Sequence, residues 1–361
     1  MASFASGATS LIQSTVDVEV DGERHPQFIP LLAMNWHPKP HFNNQWSWAG
    51  LAILLIALVW QWWSGNHVAD NVCSGQRFAI ETVSGGTAPY IQLTANARKG
   101  PFLLDYGATQ STLSADAFSS SSGSGQASGQ MTTSFSLPTF PTGQFRLARY
   151  FASQAPGGGQ LGVVGTDFLS LLTAAFSFSP QGGSVVLDGK PCDAGRLRAK
   201  GMVPIRQTGF FSAQPGRLDR SRPNVPVIYL RIGGITTWAQ IDTGYDDLQM
   251  QPSIDINETL YQKLLASNVP LRQKGNVGVS TCSGLESRSA YLASHVEIVS
   301  ETGALIRDLG TVTLVRKPLS PCGGIGNLVE PAAQIAASVV ARLGEVVIDP
   351  FTETVWVAPA R

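Results

Sequence analysis

The sequence predicts an all-β protein made of two similar halves, preceded by one membrane-spanning helix. Three observations predict it: short alternating apolar runs separated by Gly, Ser and Pro, a pattern that recurs at an offset of 137 residues, and an uncharged apolar run near residue 50. With 361 residues, the chain has room for about two domains.

Composition and charge exclude several functional classes. The chain carries 25 Lys and Arg against 25 Asp and Glu, and no basic run occurs, so a nucleic-acid partner is not expected. The 4 cysteines include no C-x-x-C pair, so a zinc site is not expected. No other metal and no cofactor is predicted. A turn-rich globular chain is the class that fits.

The apolar run near residue 50 is interpreted as a membrane anchor over 46–63. No Lys, Arg, Asp or Glu lies between Pro40 and Ala69, and tryptophans flank the segment AGLAILLIALV as interfacial aromatics do. The alternative is a buried core helix, since the run is slightly short for a bilayer. An uncleaved anchor is favoured over a signal peptide because the segment starts far from Met1.

The cysteines indicate the orientation of this anchor. Cys73, Cys192, Cys282 and Cys322 all follow it, as expected if the bulk of the chain lies in an oxidising periplasmic or luminal compartment. Residues 1–45 are then a largely unstructured cytoplasmic tail.

The remaining chain divides into a linker and two lobes. Residues 64–84 are predicted to link the anchor to an N-terminal lobe over 85–200, which a C-terminal lobe over 201–361 follows. The division rests on the repeat, because PYIQL before FLLDYG in the first lobe matches PVIYL before AQIDTG in the second. Matching order in two halves predicts a pseudo-two-fold axis between the lobes.

The sequence predicts further elements in the two lobes. A helix is predicted from Pro331 to Leu343, ending at Gly344. The segment Val163-Val164-Gly165 is matched in the second lobe to Ile325-Gly326. Hairpins over 129–141 and 276–288 are candidate flaps above a cleft.

Each half contains an apolar strand that ends in Asp-x-Gly, as LLDYG and QIDTG. A single such motif is typical of a β-turn, but two at equivalent points of a repeat place Asp105 and Asp242 at the axis. Two adjacent carboxyls cannot both ionise without strong repulsion, so they share a proton and supply one acid and one base. Gly107 and Gly244 would let the backbone turn and donate N–H groups to the aspartates.

At these residues the sequence resembles the retropepsin-like and pepsin-like aspartic peptidases. The resemblance implies that Asp105 and Asp242 are catalytic, with Gly107, Thr243 and Gly244 supporting them. It further implies a bilobal acid protease fold and substrate contacts from Thr109 and Asp246. Tyr106 departs from the family pattern, which has Thr or Ser after each aspartate. Tyr245 replaces a small residue and is expected to narrow the cleft.

The resulting prediction is a membrane-anchored, single-chain aspartic endopeptidase acting on peptides or proteins. Both lobes belong to one chain, so a homodimer is not required to build the site. A catalytically silent peptide-binding or scaffolding domain on a membrane tether is the main alternative, because of Tyr106. A β-sandwich adhesion module would instead place Asp105 and Asp242 on separate surface turns. Only one histidine, His295, lies in the repeated part, which disfavours serine-type and zinc hydrolases.

The cysteines and one sequon leave alternatives open. Intralobe disulfides would join Cys73 to Cys192 and Cys282 to Cys322, but four cysteines allow three pairings and free buried thiols are the alternative. Asn257-Glu-Thr would accept a glycan if the chain is extracytoplasmic and the organism glycosylates.

Overall fold

The computed structural model describes residues 72–118, 130–137, 143–148, 155–179, 182–207, 225–245, 250–281, 284–319 and 324–359. Strands dominate these ranges, which confirms the mostly-β class. None of the helices within them is long and apolar enough to cross a membrane. The predicted tail over 1–45 and anchor over 46–63 lie outside the described residues.

The first half of the chain contributes nine strands to the described ranges. They are β1 (Gln76–Ile80), β2 (Tyr90–Ala95), β3 (Arg98–Leu104), β4 (Thr112–Ser114), β5 (Gln130–Thr133), β6 (Gly143–Ala148), β7 (Gly162–Val164), β8 (Thr173–Ser179) and β9 (Gly182–Asp188). The short helices of this half are α1 (Ala115–Phe118), α2 (Thr166–Leu169) and α3 (Ala194–Ala199).

The second half contributes ten strands and two helices to the described ranges. The strands are β10 (Val203–Arg206), β11 (Val227–Ile232), β12 (Ile235–Asp242), β13 (Ser253–Asn257), β14 (Arg272–Thr281), β15 (Gly284–Val299), β16 (Leu305–Lys317), β17 (Ala332–Ala336), β18 (Glu345–Asp349) and β19 (Thr354–Val357). The helices are α4 (Glu258–Ala266) and α5 (Ala337–Leu343).

Each half builds its own sheet, and the six strands of the first correspond to six of the seven strands of the second, which adds β14 and a pairing of β11 with β15. The first has the order β2-β3-β7-β4-β6-β5, and the second has the order β11-β12-β17-β13-β16-β15-β14. In both, a hairpin leads into a strand that runs parallel to a later one, β3 with β7 and β12 with β17. The repeat in the sequence is therefore a repeat of structure.

A third sheet joins the two halves. Its order is β1-β9-β8-β18-β19-β10, so three strands come from each half. The central pair, β8 and β18, is antiparallel, with Phe176 opposite Val346. An antiparallel pair at the centre is the arrangement that a two-fold relation between the halves produces. This arrangement is consistent with two lobes.

Equivalent tight turns set the register of the hairpin that leads to each aspartate. Asn96 and Ala97 have φ of 47° and 65°, and Gly233 and Gly234 have φ of 54° and 86°. Positive φ at both central residues defines the turn whose twist matches that of paired strands. The same turn therefore starts β3 in one half and β12 in the other.

The predicted helix from Pro331 was wrong at its start. Residues Ala332–Ala336 form β17, which lies between β12 and β13, and α5 begins only at Ala337. A strand buried on both faces reads as a continuous apolar run, which periodicity alone does not distinguish from a helix.

The segment over 64–84 contributes to the folded body where the structure describes it. Cys73 forms a disulfide with Cys192, as one of the expected pairings had it. Ser74 donates to Asp188 from both its backbone nitrogen and its hydroxyl, at 3.1 Å each. Strand β1 follows and pairs with β9. Cys282 and Cys322 lie outside the described residues.

Asn257 is a buried helix cap and does not present its side chain for glycosylation. Its Oδ1 accepts from the backbone nitrogens of Leu260 and Ala332, and its Nδ2 donates to the carbonyls of Leu328 and Glu330. All of its side-chain polar atoms are thus used inside the protein. The interpretation of the sequon as a glycan site was wrong for this reason.

We expect Asn257→Ala to destabilise the protein by about 2–3 kcal/mol, since it removes a cap and leaves buried backbone groups unpaired. Thr259→Val is the matched control, because it abolishes the same sequon and leaves the cap intact. Urea unfolding of both variants checks this. Equal stability losses in the two variants would contradict the assignment.

Candidate active site

The two aspartates lie at the ends of equivalent strands in the two sheets. Asp105 directly follows β3, and its backbone nitrogen donates to the carbonyl of Val164 at 2.9 Å. Asp242 is the last residue of β12, directly opposite Ala336 of β17. Each strand lies between its hairpin partner and a parallel strand, so the position of each aspartate is fixed from both sides.

Each carboxylate is held by the turn that follows it. Oδ1 of Asp105 accepts from the backbone nitrogens of Gly107 and Ala108 at 2.7 and 3.0 Å. Oδ1 of Asp242 accepts from those of Gly244 and Tyr245, both at 3.0 Å. The same two contacts occur at both sites.

The glycines bring the two carboxyl groups together. A Cβ atom on Gly107 would overlap the carboxyl of Asp242, and one on Gly244 would overlap the carboxyl of Asp105. Each aspartate therefore packs on the glycine of the opposite half. The arrangement on separate surface turns, expected for an adhesion module, is not what the structure has.

Thr243 links the two strand ends across the axis. Its Oγ1 accepts from the backbone nitrogen of Tyr106 at 3.1 Å and donates to the carbonyl of Leu104 at 2.6 Å. Both Thr243 and Tyr106 are fully buried. One hydroxyl thus satisfies a donor and an acceptor of the opposite half.

Tyr106 takes a different direction from Thr243. Its ring packs edge-on against Phe176 of the shared sheet, with the ring centroids 6.3 Å apart. Burial raises the pKa of Tyr106, and the nearby carboxylate of Asp349 raises it further. The side chain of Tyr106 thus lies in the core, while its backbone nitrogen still takes part in the link across the axis.

The electrostatics of the pair favour a shared proton. Asp105 is only 2% exposed, and Asp242 is partly buried beside it. Burial raises the pKa of Asp242 well above its ordinary value, and the charge of Asp105 and a hydrogen bond to it raise it further. Lys317 acts in the opposite direction and lowers this pKa. Both carboxyls therefore do not ionise together in the ordinary Asp range.

Sequence reasoning missed a polar residue at the site. Nε2 of Gln334 donates to Oδ2 of Asp242, and Nζ of Lys317 donates to Oε1 of Gln334 at 2.9 Å. Gln334 is the one polar residue in the apolar strand AAQIA. A single polar residue inside a buried strand was the signal that could have found it.

The strand β17 also corrects the internal alignment. Val164 pairs with Leu104 in the first half, and Ile335 pairs with Ile241 in the second. The counterpart of Val163-Val164-Gly165 is therefore Gln334-Ile335-Ala336. The match to Ile325-Gly326 was wrong, because those residues form a separate 3-10 turn before β17.

The residues expected to contact substrate are only partly visible. Thr109 is half-buried in the turn after Asp105, and Asp246 lies outside the described residues. Tyr245 packs with Val277 and Val279 of the β14–β15 hairpin, so its ring lies against that hairpin. The substrate-binding roles of Thr109 and Asp246 stay predictions.

Both candidate flaps are hairpins. Strands β5 and β6 pair in the first half, and β14 pairs with β15 up to Thr281 opposite Gly284 in the second. In the first hairpin, residues 134–137 follow β5 and contact β2, where the backbone nitrogen of Ser136 donates to the carbonyl of Thr94 at 2.9 Å. Residues 138–142 of this hairpin and 282–283 of the second lie outside the described residues. Each hairpin belongs to the sheet that carries one of the aspartates.

Comparisons with known proteins give similarities to solved structures, among them two basic 7S globulins. No model of a known protein family matches the chain, and no curated protein matches its sequence. A crystal structure of conglutin gamma, a basic 7S globulin from lupine seeds, is similar over 78% of this chain and 94% of that chain, with 12% identity and a TM-score of 0.44. Basic 7S globulin from soybean is similar over 79% and 94%, with 11% identity and a TM-score of 0.42.

We expect Gly107→Ala and Gly244→Ala each to destabilise the protein by about 1–3 kcal/mol, because the added methyl group overlaps a buried carboxyl. Gly159→Ala is the control, since its Cβ would meet open space and its φ of −169° suits any residue. Its stability should stay within about 0.5 kcal/mol of wild type. Chemical denaturation measures the stability of all three variants. Wild-type stability in Gly107→Ala and Gly244→Ala would contradict the packing.

The raised pKa of Asp242 also predicts how stability depends on pH. The folded protein keeps a proton that the unfolded chain loses near the ordinary value of 3.8, so stability falls as pH rises above that value. The slope is at most about 1.4 kcal/mol per pH unit for one proton. Asp242→Asn removes this titration and should flatten the slope.

Urea unfolding at a series of pH values between about 4 and 7 measures that slope. Asp116→Asn, at an exposed position, is the control and should keep the wild-type slope. The same slope in wild type and Asp242→Asn would show that the two carboxyls do not share a proton.

Proposed function

We propose that this protein is an aspartic endopeptidase that hydrolyses peptide bonds with a water molecule activated between Asp105 and Asp242. The observation that carries the proposal is the crossed packing of each aspartate on the glycine of the opposite half. This packing supports a site in which two sheets, one from each half, hold the two carboxyl groups next to each other.

The chemistry follows from one proton on two carboxyls. The ionised carboxyl accepts a proton from water, and the protonated one donates to the oxygen of the scissile carbonyl. The water oxygen attacks the carbonyl carbon and gives a tetrahedral diol without a covalent link to the protein. Breakdown of the diol gives a carboxylic acid and an amine, with a proton transferred to the leaving nitrogen.

The proposed substrate is an extended peptide. A strand-like peptide would bind between the β5–β6 and β14–β15 hairpins, using backbone hydrogen bonds for affinity and side-chain pockets for specificity. Closure of the hairpins would exclude water from the carboxyls. Since one chain supplies both aspartates, the proposal needs no second copy.

The second candidate function is a catalytically silent peptide-binding domain, and Tyr106 is the observation that favours it. Its side chain packs on Phe176, so of the two residues that directly follow the aspartates, Thr243 alone links the halves through a hydroxyl. Two aspartates whose strand ends are linked by one hydroxyl would be held less rigidly than two aspartates linked by a hydroxyl from each half. The backbone contact from Tyr106 to Thr243 supports the enzyme instead, because it keeps the two strand ends in register.

We also propose that residues 46–63 anchor the protein in a membrane with the lobes on the extracytoplasmic side. The uncharged, tryptophan-flanked segment supports the anchor. The disulfide between Cys73 and Cys192, a bond typical of oxidising compartments, supports the side.

We expect the purified protein to cleave members of a proteome-derived peptide library. Asp105→Asn and Asp242→Asn should each lower the rate about a thousandfold or more, because neither variant retains the acid and base pair. A statine-type inhibitor should block cleavage by the wild type. Quantitative mass spectrometry of the products measures the rates.

Asp116→Asn is the control for general effects of removing a carboxylate and should cleave at the wild-type rate. Tight peptide binding by the wild type with no turnover would decide for the silent domain. Cleavage at the wild-type rate in Asp105→Asn and Asp242→Asn would contradict the proposal.

A further inference from the structure

We propose that Gln334, held by Lys317, is a positioning residue for the aspartate pair: it fixes Oδ2 of Asp242 and favours the ionised form of that carboxyl. The inference rests on the proposed function, since it assigns a further role within the same site. It concerns a glutamine that neither the Asp-x-Gly motifs nor the internal repeat brings to attention.

The geometry determines which way the amide of Gln334 faces. Lys317 has only donors on its ammonium group, so the atom of Gln334 that lies 2.9 Å from it must be the oxygen Oε1. The amide nitrogen then faces Asp242 and donates to Oδ2. Lys317 therefore locks the amide in the orientation that stabilises a carboxylate.

The position of Gln334 has no polar counterpart in the other half. In β17, Gln334 lies opposite Gln240 of β12. In β7, Val163 takes the equivalent place and lies opposite Leu103 of β3. A valine side chain supplies no donor, so the contact from Gln334 has no equivalent at position 163. The repeat that makes the turns around the two aspartates equal is broken at this residue.

A buried group of charges holds Lys317 in place. Its Nζ lies 3.8 Å from Oδ2 of Asp255, which in turn lies 3.5 Å from Nη1 of Arg288. Nη2 of Arg288 is 3.1 Å from Oε2 of Glu286. Gly324, with φ of 77°, leaves room for the ammonium, because a Cβ there would be 3.3 Å from Nζ.

The charges that act on Asp242 oppose one another. Asp105 and, by a smaller amount, Asp255 raise the pKa of Asp242, whereas Lys317 lowers it. Arg288 and Glu286 contact Asp255 or each other and complete the charged groups of this cluster in the described residues. The hydrogen bond from Gln334 acts in the same direction as the charge of Lys317, because it stabilises the ionised carboxyl of Asp242. Gln334 and Lys317 together therefore set the highest pH at which the two aspartates keep their shared proton.

The experiment compares Gln334→Leu and Lys317→Met with the conservative variant Lys317→Arg. Carbon-13 NMR of labelled aspartate carboxyls follows the titration of the pair in the full chain. We expect the upper apparent pKa of the pair to rise by about one to two units in Gln334→Leu and by about one unit in Lys317→Met. Lys317→Arg, which keeps the positive charge, should titrate as the wild type does.

Turnover gives a second readout. We expect kcat of Gln334→Leu to fall about tenfold at the wild-type optimum with KM within about twofold, because the substrate contacts remain while one carboxyl loses its orientation. The optimum should move to higher pH, in the same direction as the titration. Gln160→Leu, which removes a buried glutamine that bonds Tyr90 and Gly162 instead, should change neither.

Two results would overturn the inference. One is a Gln334→Leu variant whose carboxyls titrate as in the wild type. The other is an upper apparent pKa that shifts as much in Gln160→Leu as in Gln334→Leu, which would show a general effect of losing a buried amide. Where Gln334→Leu does not fold, the pair Lys317→Met and Lys317→Arg decides in the same way. A titration shift in a protein that cleaves no peptide would refute the proposed function and leave the tuning of Asp242 by Gln334 established.

Discussion

The approach of two carboxyl groups across an axis between the halves is the constraint on which the rest of the structure depends. Each carboxyl packs on the glycine of the other half, so neither half can complete the site by itself. Burial together with the neighbouring charge makes double ionisation costly. The cost is tolerated because backbone N–H groups and the hydroxyl of Thr243 hold the loops in place.

The fold supplies this constraint by duplication. Each sheet ends a strand at its aspartate between a tight hairpin and a parallel neighbour, and the third sheet joins the halves through β8 and β18. The departures from symmetry are local. Tyr106 goes into the core, and Gln334 turns to the aspartate pair. A duplicated frame with unequal side chains gives two like residues different surroundings, which a pair that divides acid and base roles requires.

The sequence predicted the elements with a strong local signal and missed those decided by tertiary contacts. The β class and the meeting of Asp105 with Asp242 followed from alternation and from the repeat. The predicted helix from Pro331 covers the strand at Ala332–Ala336, since burial on both faces of that strand hides its period of two. Gln334 escaped notice because its role depends on Lys317, which is distant in sequence. The sequon at Asn257 misled because sequence does not show burial.

The most direct test of the central claim is a crystal structure of the protein with a statine-type inhibitor. The account predicts that the inhibitor hydroxyl lies between the two aspartates, within about 2.6–3.2 Å of an oxygen of each carboxyl. A complex in which the carboxyl oxygens of Asp105 and Asp242 are too far apart to contact the same hydroxyl would contradict it.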